Sequence, residues 1–467
     1  MNRKVVLPIV VFMFTILLGS SIPISFQNSE QLTPDVSQER VLVYIQTGSD
    51  KQKESIISRS DVTVRFTFDD NWISAEVPQH VKEILENRPD IVVEDVSIFY
   101  IDAKKDCTDP ANSSLPQCKR KGGDEPEPVD NDGDGVFTPE DPDDNDPCNP
   151  NPDHELCTEP DPNPARVSHP KNQVTWGLKK IYNNENLSVE NVLAANGGTG
   201  VIVAVLDTGV YKDHPDLVNK ILLCKDFTSK GKPKNTCDDG HGHGTHVSGS
   251  VLADGGSDKL GILGVAPAAK LFAFKVCTNG GLCMGDAVAK GINEAEKNGA
   301  NIISMSFGGS SFATVEKNAI DNALEARKNN DDLLFIAAAG NYGPSANTIL
   351  YPAAYNKIVA VAAVDSGLNV ASFSSRGISN TWDGNTDRLV EVSGPGVAIE
   401  STMNDGSYAT WSGTSMATPH ISGLAANVWS FSDDPDATSI RSWLQSNSND
   451  IYLDGYDMAT GFGFPDL

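Results

Sequence analysis

Positive charge is scarce in this chain. Lys and Arg number 36 against 63 Asp and Glu, a formal net charge of -27, which repels polyphosphate and anionic membrane surfaces and argues against a nucleic-acid partner. No CxxC pair occurs among the eight cysteines, so their spacing gives little support to a zinc or dithiol centre. No HExxH accompanies the histidines, and no internal repeat is visible. What is present suits a globular enzyme rich in tight turns: 40 glycines, 39% hydrophobic residues, and a length of 467 residues that calls for two or three folded units with linkers.

The chain opens with Asn2, Arg3 and Lys4, then the apolar run Val5 to Leu18, then the small residues Gly19, Ser20 and Ser21. This reads as a secretory signal peptide within residues 1–25, the alternative being an uncleaved membrane anchor. Either way the remainder is expected outside the cell. An even cysteine count agrees, because exported chains use cysteine in disulfides. The spacing suggests four local pairs: Cys107 with Cys118, Cys148 with Cys157, Cys224 with Cys237 and Cys277 with Cys283.

Composition divides the rest into three parts. Residues 38–102 carry alternating segments (VLVYIQ, VTVRFTF, WISAEV), the helical pattern VPQHVKEILENRP and a last strand IVVEDVSIFYI, an order of β-α-β-β-α-β. Residues 103–165 are a linker. From Gly122 to Ala165 it holds fifteen acidic residues, ten prolines and no Lys or Arg, which cannot bury a core. In residues 166–467, apolar runs (VIVAVLDTG, KLFAFKV, ANIISMSFGG, LLFIAAAGN, IVAVAAV) alternate with helical stretches such as GDAVAKGINEAEKNG and EKNAIDNALEARKNN. The expected fold is α/β, a parallel sheet flanked by helices on both faces, preceded by a small ferredoxin-like α+β unit.

Candidate chemistry sits where the strands end. Asp207 closes the run Val201 to Leu206, at the carboxyl edge where open α/β sheets place their ligands. Taken alone, such an Asp is more often a turn or cap residue. In GHGHGTHVSGSVLA, glycines crowd His243 ahead of a helix-like run, and no third ligand accompanies His243 and His246 to make a metal site. Ser415 in WSGTSMATPH stands at the start of another helix, where serine usually serves as a cap. Together these residue types describe a hydrolase: a serine activated by an imidazole, an imidazole held by a carboxylate, and helix N–H groups for an oxyanion. Asn341, in the turn after IAAAG, supplies a second candidate donor.

DTGV at Asp207, HGTHVSG at His243, AAGN at Asn341 and GTSMATPH at Ser415 resemble, in order and wording, the four signature segments of the subtilisin-like serine proteases, the subtilases. The resemblance covers roughly residues 170–467. It implies a secreted endopeptidase, expected as a monomer acting on polypeptides, with Asp207 as orienting acid, His243 as general base and acid, Ser415 as nucleophile, Asn341 as oxyanion donor and His246 as structural. It further implies that Ser306, Phe307 and Gly308 pair with an extended substrate opposite Gly280 and Gly281. A side-chain pocket is then expected between Ser306–Gly308 and Ala338–Gly340. The resemblance also puts Leu350, just before YPAA, near the expected pocket floor, where many relatives carry glycine. Residues 38–102 resemble the family's inhibitory propeptide, which makes the chain's own N-terminal unit an intramolecular inhibitor.

Calcium is the expected cofactor. DNDGDGVFTPED places Asp130, Asp132, Asp134, the Val136 carbonyl and Asp141 at positions 1, 3, 5, 7 and 12 of a calcium loop. It resembles the acidic calcium repeats of thrombospondin type 3 more than a paired EF-hand. The subtilase resemblance implies a second site from Asp216, Asp258 and carbonyls at Leu260 and Ile262. A calcium-dependent matrix protein would need many acidic modules, and only one is present.

Overall fold

The computed structural model describes residues 40–68, 71–101, 104–105, 167–329, 332–433 and 435–467. The signal segment, the acidic loop from Asp130 to Asp141 and the pairs Cys107–Cys118 and Cys148–Cys157 lie outside the described residues.

The N-terminal unit runs β1 (Arg40–Thr47), α1 (Asp50–Ile57), β2 (Thr63–Thr67), β3 (Trp72–Pro78), α2 (Gln79–Glu86) and β4 (Ile91–Asp95), with sheet order β2-β3-β1-β4. Strand alternation gives this sheet two buried faces. Val43 and Ile45 pack with Val81 and Leu85 of α2, while Tyr44 between them joins Phe66, Phe68 and Trp72 in the core of the larger unit. The expected single last strand is instead two. After β4, Val96 and Ser97 turn the chain into β5 (Ile98–Tyr100), which leaves the N-terminal sheet for a strand of the larger unit; β6 (Lys104–Lys105) follows.

The larger unit contains α3 (Trp176–Ile181), α4 (Val189–Ala195), β7 (Ile202–Asp207), β8 (Ile221–Asp226), α5 (His243–Leu252), β9 (Lys270–Lys275), β10 (Leu282–Met284), α6 (Gly285–Lys297), β11 (Ile302–Met305), α7 (Thr314–Arg327), β12 (Leu334–Ala338), β13 (Val359–Val364), β14 (Val392–Pro395), β15 (Ile399–Thr402), β16 (Tyr408–Ser412), α8 (Thr414–Phe431) and α9 (Ala437–Ser446). Seven strands form one parallel sheet, ordered β14-β13-β12-β11-β7-β9-β8. Along β7, Val203 and Val205 enter the layer shared with α5 and α8, and Ala204 and Leu206 the layer shared with α6 and α7. Burial on both faces explains the unbroken apolar runs in the sequence. β9 and β11 flank β7 on opposite sides, so the strand order switches there and opens a crevice at its carboxyl end. The disulfides Cys224–Cys237 and Cys277–Cys283 are both present.

The two units meet through buried polar contacts. A bulge in the β2–β3 pairing between Val64 and Phe66 accommodates Arg65, whose Nε donates to Asp286 of α6 at 2.7 Å. Tyr44 OH donates to Glu316 of α7 at 3.1 Å. Ala313, at the start of α7, has no side-chain cap of its own; Glu94 of β4 accepts from Thr314 N at 2.8 Å instead.

Candidate active site

Asp207 ends β7, 1% exposed, with Oδ1 accepting from Thr208 N at 2.7 Å and from His243 Nδ1 at 2.8 Å. His243 is the first residue of α5 and fully buried. Two glycines permit this approach. Gly242 enters the helix at φ 96°, a conformation side chains rarely adopt, and a Cβ on Gly244 would meet the Gly209 carbonyl at 2.1 Å. Asp239, which sequence reasoning missed, organises the same turn: Oδ1 accepts from His241 N and Gly242 N at 2.9 Å, and Oδ2 from Thr245 N at 2.9 Å. Its signal was a carboxylate four residues ahead of a helix start. Lys275, also missed, lies buried beneath the strand end and donates to the Thr208 carbonyl and to Asn279 Oδ1. Burial lowers its pKa against the pull of Asp239, Asp226 and Asp207.

Ser415 is the second residue of α8 rather than its first, and it does not cap the helix. Pro419, four residues on, has no N–H for the Ser415 carbonyl, and Ser306 Oγ donates to that carbonyl at 3.0 Å. Ser415 Oγ reciprocates, donating to the Ser306 carbonyl at 3.0 Å. The Asp207–His243 link is thus made. The link from Ser415 to His243 is not, and His243 Nε2 has no hydrogen-bond partner among the described residues. Asn341 follows Gly340 (φ 106°), and its Oδ1 accepts from Thr414 N at 2.9 Å and Thr414 Oγ1 at 3.1 Å. That fixes which end of the amide is carbonyl and turns the NH₂ end away from Thr414.

Both expected cleft edges are occupied by the chain itself. β5 pairs antiparallel with β10, matching Tyr100 with Leu282, and Ile101 N donates to Gly281 O at 3.1 Å. Opposite, Tyr100 and Gly308 exchange hydrogen bonds of 2.9 and 3.1 Å. Past the serine, β6 pairs with β16, matching Lys104 with Ser412. Phe99 packs on Phe307 with ring centroids 5.5 Å apart. Gly280 belongs to the tight turn before β10, closed at its base by Cys277–Cys283. Leu350 stands between the two pocket walls: a Cβ on Gly308 would come within 2.8 Å of its side chain, and one on Gly340 within 2.9 Å. Ala338 ends β12 beside them.

His246 Nε2 lies 3.1 Å from Ile399 O and 3.0 Å from Ala409 O, and burial pushes its pKa down to about 3, so it donates as a neutral ring. At the expected calcium loop, Asp216 is fully buried and its Oδ2 accepts from Ile262 N at 3.0 Å and Tyr408 OH at 2.7 Å. Its Oδ1 occupies the space a Cβ on Gly261 would fill, at 1.9 Å. Asp258 Oδ1 accepts from Leu260 N at 3.0 Å. Gln173, unforeseen from sequence, reaches the same loop, donating to Lys259 O and Gly261 O at 2.7 and 3.0 Å. Asp216, Asp258 and the carbonyls of this loop are oxygen donors, the chemistry a hard cation takes, and the Ile262 carbonyl accepts from Gly255 N at 3.1 Å. Among the described residues no three His, Cys, Asp or Glu side chains cluster as ligands.

A doubly covered parallel sheet with a buried Asp–His pair and a helix-borne serine at its carboxyl edge defines the chain as a serine endopeptidase of the subtilisin fold. The family model described as "Subtilase family" matches residues 198–463, and the chain belongs to that family. Subtilisin of Bacillus sp. (strain TA39) is 44% identical over 310 residues, 62% of this chain and 71% of that protein. Thermitase of Thermoactinomyces vulgaris is 37% identical over 264 residues, 56% of this chain and 86% of that protein. Among solved structures, sphericase superimposes with a TM-score of 0.60 at 43% identity, covering 64% of this chain and 99% of that one.

Proposed function

We propose that the chain is a secreted, self-inhibited precursor whose protease unit cleaves polypeptides through an acyl-enzyme, with Asp207, His243 and Ser415 as triad and Asn341 in the oxyanion site. The observation that carries this is the Asp207–His243 hydrogen bond at 2.8 Å beside a serine bracketed by strand-paired chain. Ser415 Oγ turns from the Ser306 carbonyl to His243 Nε2, gives up its proton there and bonds to the substrate carbonyl carbon. His243 then passes that proton to the leaving amine, and water repeats the sequence to release the acid. Asp207 holds the tautomer that leaves Nε2 as acceptor. A peptidyl phosphonate tests the assignment: peptide mapping should find one adduct, on Ser415, with activity lost in proportion. An adduct on another residue with parallel inactivation would refute it.

Self-inhibition is supported by residues 98–101, which use the substrate's own edges. The pairing of Tyr100 with Gly308 and of Lys104 with Ser412 supports a processing bond within residues 101–104. The docking face supplies a further expectation. Tyr44→Phe removes the hydroxyl donor to the buried Glu316 carboxyl, whose pKa burial pushes up to about 7, and a hydrogen bond to a group that is not fully charged contributes about 0.5–1.5 kcal/mol. Inhibition by a separately made 38–102 segment should weaken roughly 2- to 10-fold. An unchanged inhibition constant would remove this contact from the recognition surface.

Export is supported by the residue 1–25 pattern and by the disulfides. No helix among the described residues is long and apolar enough to cross a membrane. Calcium is proposed at Asp216, Asp258, Gln173 and the Leu260 and Ile262 carbonyls, and separately at Asp130, Asp132, Asp134, Val136 and Asp141. A bound ion would neutralise the buried Asp216 charge and tie the loop to the body of the protein. At 100 to 1,000 times its dissociation constant such an ion adds roughly 2.7–4 kcal/mol. Chelation should therefore lower the melting temperature by roughly 5–15 °C, and Asp216→Asn should abolish the response. A melting temperature indifferent to chelator in the parent would sink the site.

A further inference from the structure

His243 sits at the first turn of α5, and Gly242 before it offers no side-chain cap. Asp207 fixes one corner of its ring through Nδ1, but a single hydrogen bond leaves rotation about the ring's attachment soft, because that torsion has broad wells. The second support is aromatic. Trp411 of β16 is fully buried and stacks on His243, with centroids 5.9 Å apart and planes 28° apart. The same indole stacks on His246 at 4.9 Å and 7°. His241 meets it edge-on at 6.4 Å.

The stack is anchored at both ends. His246 Nε2 is within hydrogen-bond distance of the carbonyls of Ile399 and Ala409, and Ile399 is the strand partner of Trp411. The β15–β16 hairpin is fastened to α5 itself: Ser401 Oγ donates to His246 O at 2.7 Å and Thr402 Oγ1 to Thr245 O at 2.8 Å. The indole therefore cannot slide along the helix without breaking four polar contacts.

We propose that Trp411 is a positioning residue for proton transfer: locked against His246, it fixes the plane of the His243 ring and presents its π face to the imidazolium formed during reaction. An imidazolium over an indole face is favoured over the same charge facing an aliphatic wall. Trp411 touches no reacting atom and acts through His243, so the inference rests on the triad reading above.

The test uses the mature enzyme and a peptidyl anilide, whose leaving group carries no amino-acid residue and makes no strand pairing with β16. Trp411→Leu and Trp411→Met should lower kcat about 10- to 100-fold, part of the 10²–10⁴ that a well-placed general base contributes, with KM changed less than about threefold. Trp411→Phe should restore kcat to within about threefold of the parent, since it keeps a π face at the same wall. Affinity for a peptide boronate, whose tetrahedral adduct places the proton on His243, should fall in step with kcat. Equal losses in the Phe and Leu variants, a loss confined to KM, or boronate affinity unchanged would each overturn the proposal. If Leu and Met do not fold, Trp411→Phe with near-parental kcat and Trp411→Tyr with the same result support it, and a more than tenfold loss in both overturns it. Full activity in Ser415→Ala would instead overturn the triad reading beneath it.

Discussion

Ser415→Ala expressed in a host without other exported proteases should accumulate as an uncut precursor, and its peptide hydrolysis should fall by about 10⁶-fold, the order found for the nucleophile of subtilisin. On either side of the proposed processing segment the chain is strand-paired, Tyr100 with Gly308 and Lys104 with Ser412. In the proposed reading the nucleophile and the bond it cuts belong to one molecule, and pre-paid orientation would make the first cleavage fast in the parent. Removing Oγ leaves that arrangement intact, since β5 and β6 are held by backbone hydrogen bonds, but nothing remains to form the acyl bond. The variant should fold normally, because Oγ contributes one contact, to the Ser306 carbonyl. Intact mass before and after adding a trace of active parent enzyme separates the possibilities. The expected result is an uncut variant that is cut in trans within residues 101–104. Normal maturation of the pure variant would rule out self-processing by Ser415.

The sequence made some parts of this arrangement legible and left others hidden, for physical reasons. β7, β9, β11, β12 and β13 are buried on both faces, so each reads as a short unbroken apolar run, and α6 and α7 show amphipathic patterns. Asp207, His243, Asn341 and Ser415 stand in local motifs whose glycines are required by close backbone approaches such as Gly244 to Gly209. The misread segment was IVVEDVSIFYI. Its alternation continues through Val96 and Ser97, and only the different pairing partners, β1 for one half and β10 for the other, divide it. Pairing across nearly two hundred residues leaves no local trace. Asp239 and Gln173 were hidden for the same reason, since a polar residue in a loop looks solvated until its partners arrive. Trp411 reads as an ordinary strand aromatic; its role appears only when β16 is laid beside α5.

Asn341→Ala should reduce kcat by about 100- to 1,000-fold and leave KM nearly unchanged, the range known for the oxyanion asparagine of subtilisin. The amide is aimed by its other end. Oδ1 accepts from both the N–H and the hydroxyl of Thr414, the residue before Ser415, so the NH₂ group is registered to the nucleophile's own backbone. Gly340 N donates to the same Thr414 hydroxyl at 3.1 Å, which ties the turn after β12 to the start of α8. A neutral substrate carbonyl gains little from this donor. Negative charge arises on that oxygen only after Ser415 attacks, so the interaction is stronger in the transition state than in the bound substrate, the condition for acting on kcat rather than KM. Asn341→Asp should lose more than Ala, because a carboxylate there faces the developing oxyanion with like charge instead of a donor. The measurement is kcat and KM separately, with enzyme concentration fixed by active-site titration and melting temperature recorded for each variant. A loss carried by KM, or an Asp variant as active as the parent, would show that Asn341 shapes the turn and does not stabilise the oxyanion.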